Sequence, residues 1–304
     1  MIQDFRDYGD STQFEADLCL IGAGAAGIAI AREFLGSKFK ICLVESGGLE
    51  LDPVIQKLNE TEDTGLHRKP YTETRQRIFG GATNHWTGLC GLLSDHDFEP
   101  HPWIPNSGWP IKKTELDLYY EKALEVCQDR QRIFDSRVWK LLNKTTPPIS
   151  QSKLQEFFVH YSPSLRFGQT YREAIAQARN IQALLYANVT SIETNQRATH
   201  VEGASIRTLS GKSGRIRARV YVLCAGGIDN ARLMLLSNRV ESYGLGNRSD
   251  LVGRFFMDHP RAFVGEVIQS GHVPLHNLYC DFDSELGRFR PGLALSDRLQ
   301  SPVQ

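Results

Sequence analysis

Residues 17–45 read DLCLIGAGAAGIAIAREFLGSKFKICLVE, and this stretch decides the fold. Its opening apolar run is short and ends in glycine, which predicts a buried β-strand over 17–22. The small residues that follow predict a helix over 25–35, and a second apolar run predicts a strand over 40–45. Strand, helix and strand in this order make a β-α-β unit, whose crossover is right-handed in nearly all proteins.

The turn between the first strand and the helix carries the spacing G-x-G-x-x-G over residues 22–27. In this spacing Gly22 permits a tight turn, Gly24 lets the backbone approach a pyrophosphate, and Gly27 lets the helix pack closely on the strand. Glu45 ends the second strand, where an acidic residue accepts hydrogen bonds from an adenosine ribose. A glycine-rich turn without a ligand is the plainer alternative, but strand, helix and acid together favour a dinucleotide site. The predicted contacts are Gly22, Gly24, Ala26, Gly27, Glu45 and Ser46.

Four further segments follow along the chain: 77–88 (RIFGGATNHWTG), 107–110 (SGWP), 222–230 (VLCAGGIDN) and 251–260 (LVGRFFMDHP). With these segments the sequence resembles the glucose-methanol-choline (GMC) family of FAD-dependent oxidoreductases. Residues 80–87 resemble the pyranose oxidase branch and bacterial members with an Asn-His-Trp variant of this segment, and the other three segments agree with them. Several motifs in the right order make the resemblance specific for the family, although not for a substrate.

The resemblance implies an α/β fold class: a Rossmann-type FAD-binding domain with a parallel sheet, helices and a small antiparallel β segment, followed by the start of an α+β substrate domain. Residues 1–262 are expected to form the FAD-binding domain, with inserted loop and helical segments at 50–165. Residues 263–304 are expected to be the incomplete start of the substrate-binding domain, without partner strands to close a sheet.

A second set of contacts, along the pyrophosphate and the flavin, is implied by the resemblance. The residue chemistry agrees with it, because Gly80 and Gly81 remove side chains where a flat, charged cofactor would pass. The glycine-containing turn at 225–227 follows a buried strand, and Val189 would meet the adenine edge through its backbone. The implied contacts are Gly80, Gly81, Thr83, Asn84, His85, Thr87, Val189, Ala225, Gly226 and Asn230.

His85 is the member of this set with a chemistry of its own. By the resemblance it falls on the position that is attached covalently to the flavin in the pyranose oxidase branch. A neutral imidazole nitrogen is a competent nucleophile near neutral pH. Two alternatives stay open: a covalent bond to the flavin methyl group, and a hydrogen bond to the cofactor or to a nearby carbonyl.

The implied reaction is hydride transfer from the CH–OH carbon of an alcohol or sugar to FAD, with an unknown electron acceptor. The catalytic base of the family is expected beyond residue 304, so no catalytic residue is assigned. The alternative is a non-catalytic FAD-binding fragment, or one half of a split enzyme that needs a C-terminal partner chain. A flavoprotein with two dinucleotide sites is disfavoured, since no second G-x-G-x-x-G is found.

Composition and residue spacing argue against several other classes of protein. Lys+Arg and Asp+Glu balance at 35 each, without a basic block, so nothing indicates nucleic-acid binding. The longest uncharged apolar stretch, 18–31, is too short to cross a bilayer. The six cysteines form no C-x-x-C pair, which favours structural packing and a cytoplasmic location. His96 and His101, with two aspartates in a proline-rich segment, favour a solvated loop over a metal site.

Overall fold

The computed structural model describes residues 1–65, 74–147, 149–163, 165–259, 262–263, 265–266, 268, 277–285 and 287–300. The chain divides into two compact units. The first comprises Met1–His85 and Arg166–Met257, and the second comprises Trp86–Leu165 and Asp258–Gln304. The last residue of the 251–260 segment lies outside the described residues.

The strands, in chain order, are β1 Ile2–Asp4, β2 Thr12–Ile21, β3 Ile41–Val44, β4 Leu89–Cys90, β5 Leu154–Tyr161, β6 Ile181–Leu185, β7 Asn188–Thr194, β8 Val201–Arg207, β9 Ser213–Leu223, β10 Phe282–Ser284 and β11 Gly287–Leu295. The α-helices are α1 Ala25–Glu33, α2 Pro53–Gln56, α3 Lys113–Val126, α4 Arg137–Leu141, α5 Phe167–Thr170, α6 Arg172–Gln177, α7 Gly226–Leu236 and α8 Asp297–Gln300. Short 3-10 helices lie at Phe5–Asp7, Lys57–Asn59, Gly81–Asn84 and Asp95–Phe98.

Seven strands form the sheet of the first unit, in the order β1-β6-β3-β2-β9-β8-β7. The strands from β1 to β9 in this order run parallel, whereas β9, β8 and β7 pair antiparallel. Strand β2 is central, and its residues 18–21 are all buried. Because crossover helices cover both faces of a parallel sheet, a central strand of such a sheet reads as a continuous apolar run. The predicted fold class, a parallel sheet with a small antiparallel segment, is confirmed.

Helix α1 connects β2 to β3, as the β-α-β pattern predicts. Its buried face consists of Gly27, Ile28 and Ala31. A Cβ atom on Gly27 would lie 1.9 Å from the carbonyl oxygen of Gly22, so only glycine allows the helix to approach the strand this closely. The predicted packing role of Gly27 follows directly from this distance.

Strand β2 of the first unit is longer than the sequence predicts. It begins at Thr12 rather than at residue 17, because residues 12–16 pair with β9 from Gly214 to Ala218. Polar residues in this part of β2 obscure the strand in the sequence. Two short helices, α5 and α6, precede β6 and are separated at Tyr171.

The second unit contains an antiparallel sheet in the order β10-β11-β5-β4. Strand β11 pairs with β5 from Arg288↔Tyr161 to Leu295↔Leu154. The expectation that 263–304 lacks partner strands is therefore wrong for β11. The assignment of 50–165 to the first domain also differs from the structure, which groups Trp86–Leu165 with the C-terminal segment. The sequence of β5, LQEFFVHY, hides its strand character, because apolar and polar residues do not alternate along it.

Candidate functional site

The first unit contains a cavity of about 430 Å³ at the carboxyl ends of three neighbouring strands. Ile21, Val44 and Leu223, the last residues of β2, β3 and β9, all line it. In open α/β sheets ligands bind at this edge. The other lining residues are Gly22, Gly24, Ala25, Ala26, Glu45, Ser46, Asn59, Arg75, Gln76, Arg77, Gly81, Ala82, Ala187, Val189, Cys224, Ala225, Gly226, Asp229, Asn230, Arg232 and Leu233.

The turn after β2 forms the floor of the cavity. Gly22 has a φ of 109°, and a Cβ atom there would lie 2.7 Å from the carbonyl oxygen of Cys224. Its N–H donates to the carbonyl of Val44 at 2.8 Å, which ties the turn to the end of β3. The left-handed backbone and the crowding both require glycine at this position.

A second glycine turn packs on the first. The N–H of Gly80 donates to the carbonyl of Ala23 at 2.8 Å. A Cβ atom on Gly81 would lie 2.9 Å from the Cα of Gly24, so the two backbones meet without side chains between them. The structure thus brings together glycines that lie more than 50 residues apart in the sequence, as the two motifs predict.

The N-terminus of α1 opens at this junction, with Gly24 as the residue preceding its first turn. The N–H groups of a first helical turn have no partner within the helix. Together with the helix dipole they attract an anion such as a phosphate. Ala25 and Ala26 are exposed and line the cavity, so no bulky side chain covers these donors.

Glu45 forms the acidic end of the cavity and is only 6% exposed. Its carboxylate accepts hydrogen bonds from the N–H of Ala23 at 3.0 Å, from the N–H of Gly47 at 2.9 Å and from the Ser46 hydroxyl at 3.3 Å. Burial raises the pKa of Glu45 above its ordinary value, although these hydrogen bonds oppose the shift. A carboxylate offers about four acceptor positions. A ribose hydroxyl can therefore use the remaining position, and a second one would replace the long bond from Ser46.

The turn between β9 and α7 is held by Asn230. Its Oδ1 accepts from the N–H of Ala225 at 2.9 Å, and its Nδ2 donates to the carbonyl of Leu223 at 3.3 Å. Gly226 adopts a φ of 84° at the start of α7. Asn230 lines the cavity as expected, but both ends of its amide hold the turn, so its part in the site is to position backbone.

Thr83 and Asn84, predicted as cofactor contacts, do not line the cavity. The Thr83 hydroxyl donates to the carbonyl of Gly80 at 2.7 Å and accepts from the N–H of Phe167 at 3.1 Å. The Asn84 amide donates to the carbonyls of Phe79 and Gly81 at 3.1 and 2.9 Å. Both side chains thus hold the second glycine turn in place.

His85 and Thr87 are both exposed, and neither lines the cavity. His85 is the last residue of the first segment of unit one, whereas Thr87 belongs to the second unit. Contact of either residue with the flavin stays a prediction. Gly27 and Gly80 also lie behind the cavity wall, where they support the two turns.

A polar network in the cavity wall was not predicted from the sequence. Asp229 pairs with Arg75 and Arg77, and Asn59 bonds to both arginines. No periodicity or motif spacing links these residues, although Arg77 and Asp229 each lie within a segment that carries the family resemblance. Only their proximity in the fold reveals the network.

Among the described residues, no helix is long and apolar enough to cross a membrane. Within the same part of the chain, no group of three or more His, Cys, Asp or Glu residues is placed to hold a metal ion. All six cysteines are free thiols, and Cys19, Cys42 and Cys224 are buried.

The arrangement as a whole fits the ADP half of a dinucleotide. Gly24 and Gly81 line the cavity beside the N-terminus of α1 without side chains, so a pyrophosphate can approach the free N–H groups of the helix there. Glu45 can accept from a ribose, while Ala187 and Val189 supply apolar surface for an adenine. These are the donors, acceptors and close backbone approaches that such a ligand needs.

No family model matches the chain, but three curated proteins do. The fructose dehydrogenase large subunit of Gluconobacter japonicus is 34% identical over 238 residues, covering 64% of this chain and 43% of that protein. The 2-methyl-1,2-propanediol dehydrogenase of Mycolicibacterium austroafricanum is 24% identical, and the match covers 85% of this chain and 58% of that protein. The 6'''-hydroxyparomomycin C oxidase of Streptomyces lividus is 25% identical, and the match covers 78% of this chain and 53% of that protein. The chain spans about half the length of the curated relatives it matches.

Solved structures are also similar to this chain. A crystal structure of formate oxidase matches with a TM-score of 0.42 and 16% identity, covering 76% of this chain and 48% of that one. Pyridoxine 4-oxidase from Mesorbium loti matches with a TM-score of 0.43 and 13% identity, covering 72% of this chain and 51% of that one.

Proposed function

We propose that the chain is a member of the GMC family of FAD-dependent oxidoreductases and that its first unit binds FAD for the oxidation of CH–OH groups. Bound FAD supplies the hydride acceptor. The residues of this chain bind the cofactor, orient it and keep side chains away from its phosphates. A catalytic base is not among the residues assigned here.

The observation that carries the proposal is the meeting of the two glycine turns. The backbones of Gly24 and Gly81 touch beside the N-terminus of α1, and the buried Glu45 carboxylate lines the same cavity. A dianionic pyrophosphate is favoured at the first place and a ribose at the second. A plain structural turn needs neither the uncovered helix end nor the buried carboxylate.

We further propose a small hydroxylated substrate, an alcohol or a sugar. The support is that the relatives named above are, by their names, a dehydrogenase of a diol, a dehydrogenase of fructose and an oxidase of a hydroxyparomomycin. One relative is by name a large subunit, which favours a partner chain for this protein too. A cytoplasmic location is part of the proposal and is supported by the free thiols.

The experiment is anaerobic reduction of the flavin. The chain is loaded with FAD and mixed with a vicinal diol, a ketohexose or an aminoglycoside, and the loss of oxidised-flavin absorbance is followed. In the natural full-length protein, reduction by at least one class, absent with free FAD, is the expected result; residues 1–304 alone should bind FAD without being reduced, because no catalytic base is assigned among them. A full-length protein that binds FAD but is reduced by none of them would support the alternative of a non-catalytic FAD-binding protein. A chain that binds no FAD would overturn the proposal altogether.

A further inference from the structure

An ion-pair bridge joins two walls of the cavity. Arg75 donates from Nη1 to Oδ2 of Asp229 at 2.7 Å, and Arg77 donates from Nη2 to Oδ1 of the same carboxylate at 2.9 Å. One carboxylate thus joins two guanidinium groups, and all three side chains line the cavity. Their side-chain exposures are only 15 to 20%, so water screens these pairs less than it screens a surface pair.

The two arginines are anchored on the β3 side of the cavity. A Cβ atom on Gly47 would lie 2.0 Å from the carbonyl oxygen of Arg77, so this segment packs directly on the turn after β3. Asn59 orients both guanidinium groups, since its Oδ1 accepts from Nε of Arg77 at 2.8 Å and its carbonyl accepts from Nη2 of Arg75 at 3.2 Å. Arg77 also donates to the Ser46 hydroxyl at 3.2 Å, beside the ribose-binding end.

Asp229 comes from the opposite side, in the first turn of α7 after β9. The positive end of the helix dipole favours a carboxylate at that position. Strands β3 and β9 flank β2 in the sheet, so the bridge spans two strand spacings, about 9.5 Å in all. It therefore crosses the carboxyl end of β2, where the dinucleotide turn lies.

We propose that this bridge, the Arg75–Asp229–Arg77 strap, closes over the nucleotide half of FAD and has to open for the cofactor to enter or leave. The inference rests on the proposed function, because it takes the ligand of the cavity to be FAD. Asp229 is in this account a positioning residue: it holds the two arginines across the cavity and does not contact the reacting atoms. The strap governs the rates of cofactor exchange more than the affinity.

The test compares FAD exchange in the wild-type chain and in Asp229→Asn, which keeps the shape of the side chain and removes its charge. Association and dissociation are followed by stopped-flow flavin fluorescence at low and high salt. Both rates are expected to rise about tenfold in the variant, while the dissociation constant changes less than about threefold. The wild-type rates should also rise with salt, whereas those of the variant should not.

The matched control is Glu193→Gln. It removes the Arg215–Glu193 pair, 2.6 Å long and similarly shielded, in the same unit but outside this cavity. Control rates should equal those of the wild type, and Asp229→Glu should restore slow exchange. Faster dissociation alone, with unchanged association, would mean direct contact between Asp229 and FAD and would overturn the strap. Unchanged rates in Asp229→Asn would overturn it as well, whereas a wild-type chain that binds no FAD would contradict the proposed function instead.

Discussion

Replacing Gly24 with alanine should weaken FAD binding without lowering the free energy of unfolding. Gly24 has φ −79° and ψ −163°, an extended conformation that any residue adopts. An added Cβ atom would meet only the Cα of Gly81, at 4.0 Å, which is ordinary van der Waals contact. The free energy of unfolding should therefore stay within about 0.5 kcal/mol of the wild type, or rise by about 0.4–1 kcal/mol because the unfolded chain loses entropy.

The same methyl group should harm FAD binding, since Gly24 lines the cavity beside the N-terminus of α1. Forcing an extra methyl group into a close contact costs about 1–3 kcal/mol, which corresponds to roughly fivefold to 150-fold weaker binding. Quenching of flavin fluorescence on titration of FAD measures the affinity, and thermal unfolding without FAD measures the stability.

Gly27→Ala is the contrasting variant, because its Cβ would lie 1.9 Å from the Gly22 carbonyl. It should lose stability outright, by about 1–3 kcal/mol or more. A Gly24→Ala protein that binds FAD as tightly as the wild type, at unchanged stability, would refute the placement of the pyrophosphate at this turn.

Three further predictions follow from the same site. Glu45→Ala should weaken FAD binding by about 1–3 kcal/mol, because buried N–H donors lose their acceptor and a ribose loses its partner; equal affinities in a titration would remove Glu45 from the site. Burial raises the pKa of Cys224 to about 11, so its alkylation should be slow at neutral pH and speed up about tenfold per pH unit towards that value, measured by mass spectrometry against the exposed Cys280. FAD should slow the reaction of Cys224 further, and equal protection of both thiols would contradict this location. If His85 forms the covalent link, denatured wild-type protein should carry flavin fluorescence on a gel and His85→Ala should not; a dark wild-type band leaves His85 without the bond.

The β-α-β unit and its glycine turns could be predicted because local physics specifies them. Residues 18–21 are buried on both faces and so read as one apolar run, and the positive φ of Gly22 leaves little choice of residue. The pairing of β5 with β11 joins segments more than 120 residues apart, and in neither sequence do apolar and polar residues alternate along the whole strand.

The polar side chains that line the cavity were less predictable from the sequence than the glycine turn after β2. The pairing of Asp229 with Arg77 spans 152 residues, and charged residues are common enough that their positions alone do not indicate a pair. Thr83 and Asn84 were predicted to contact the cofactor, whereas in the structure their side chains donate hydrogen bonds to the second glycine turn. Sequence shows which polar groups are available, whereas packing decides which of them are already satisfied.

Recognition of the ADP half of FAD by the first unit is tested most directly by competition binding on the purified chain, with ADP as the competitor in one arm and riboflavin in the other. The chain should bind one FAD, which ADP displaces and riboflavin does not, because the glycine turns and Glu45 contact the phosphates and the ribose. Failure to bind FAD, or displacement by riboflavin with none by ADP, would contradict this recognition.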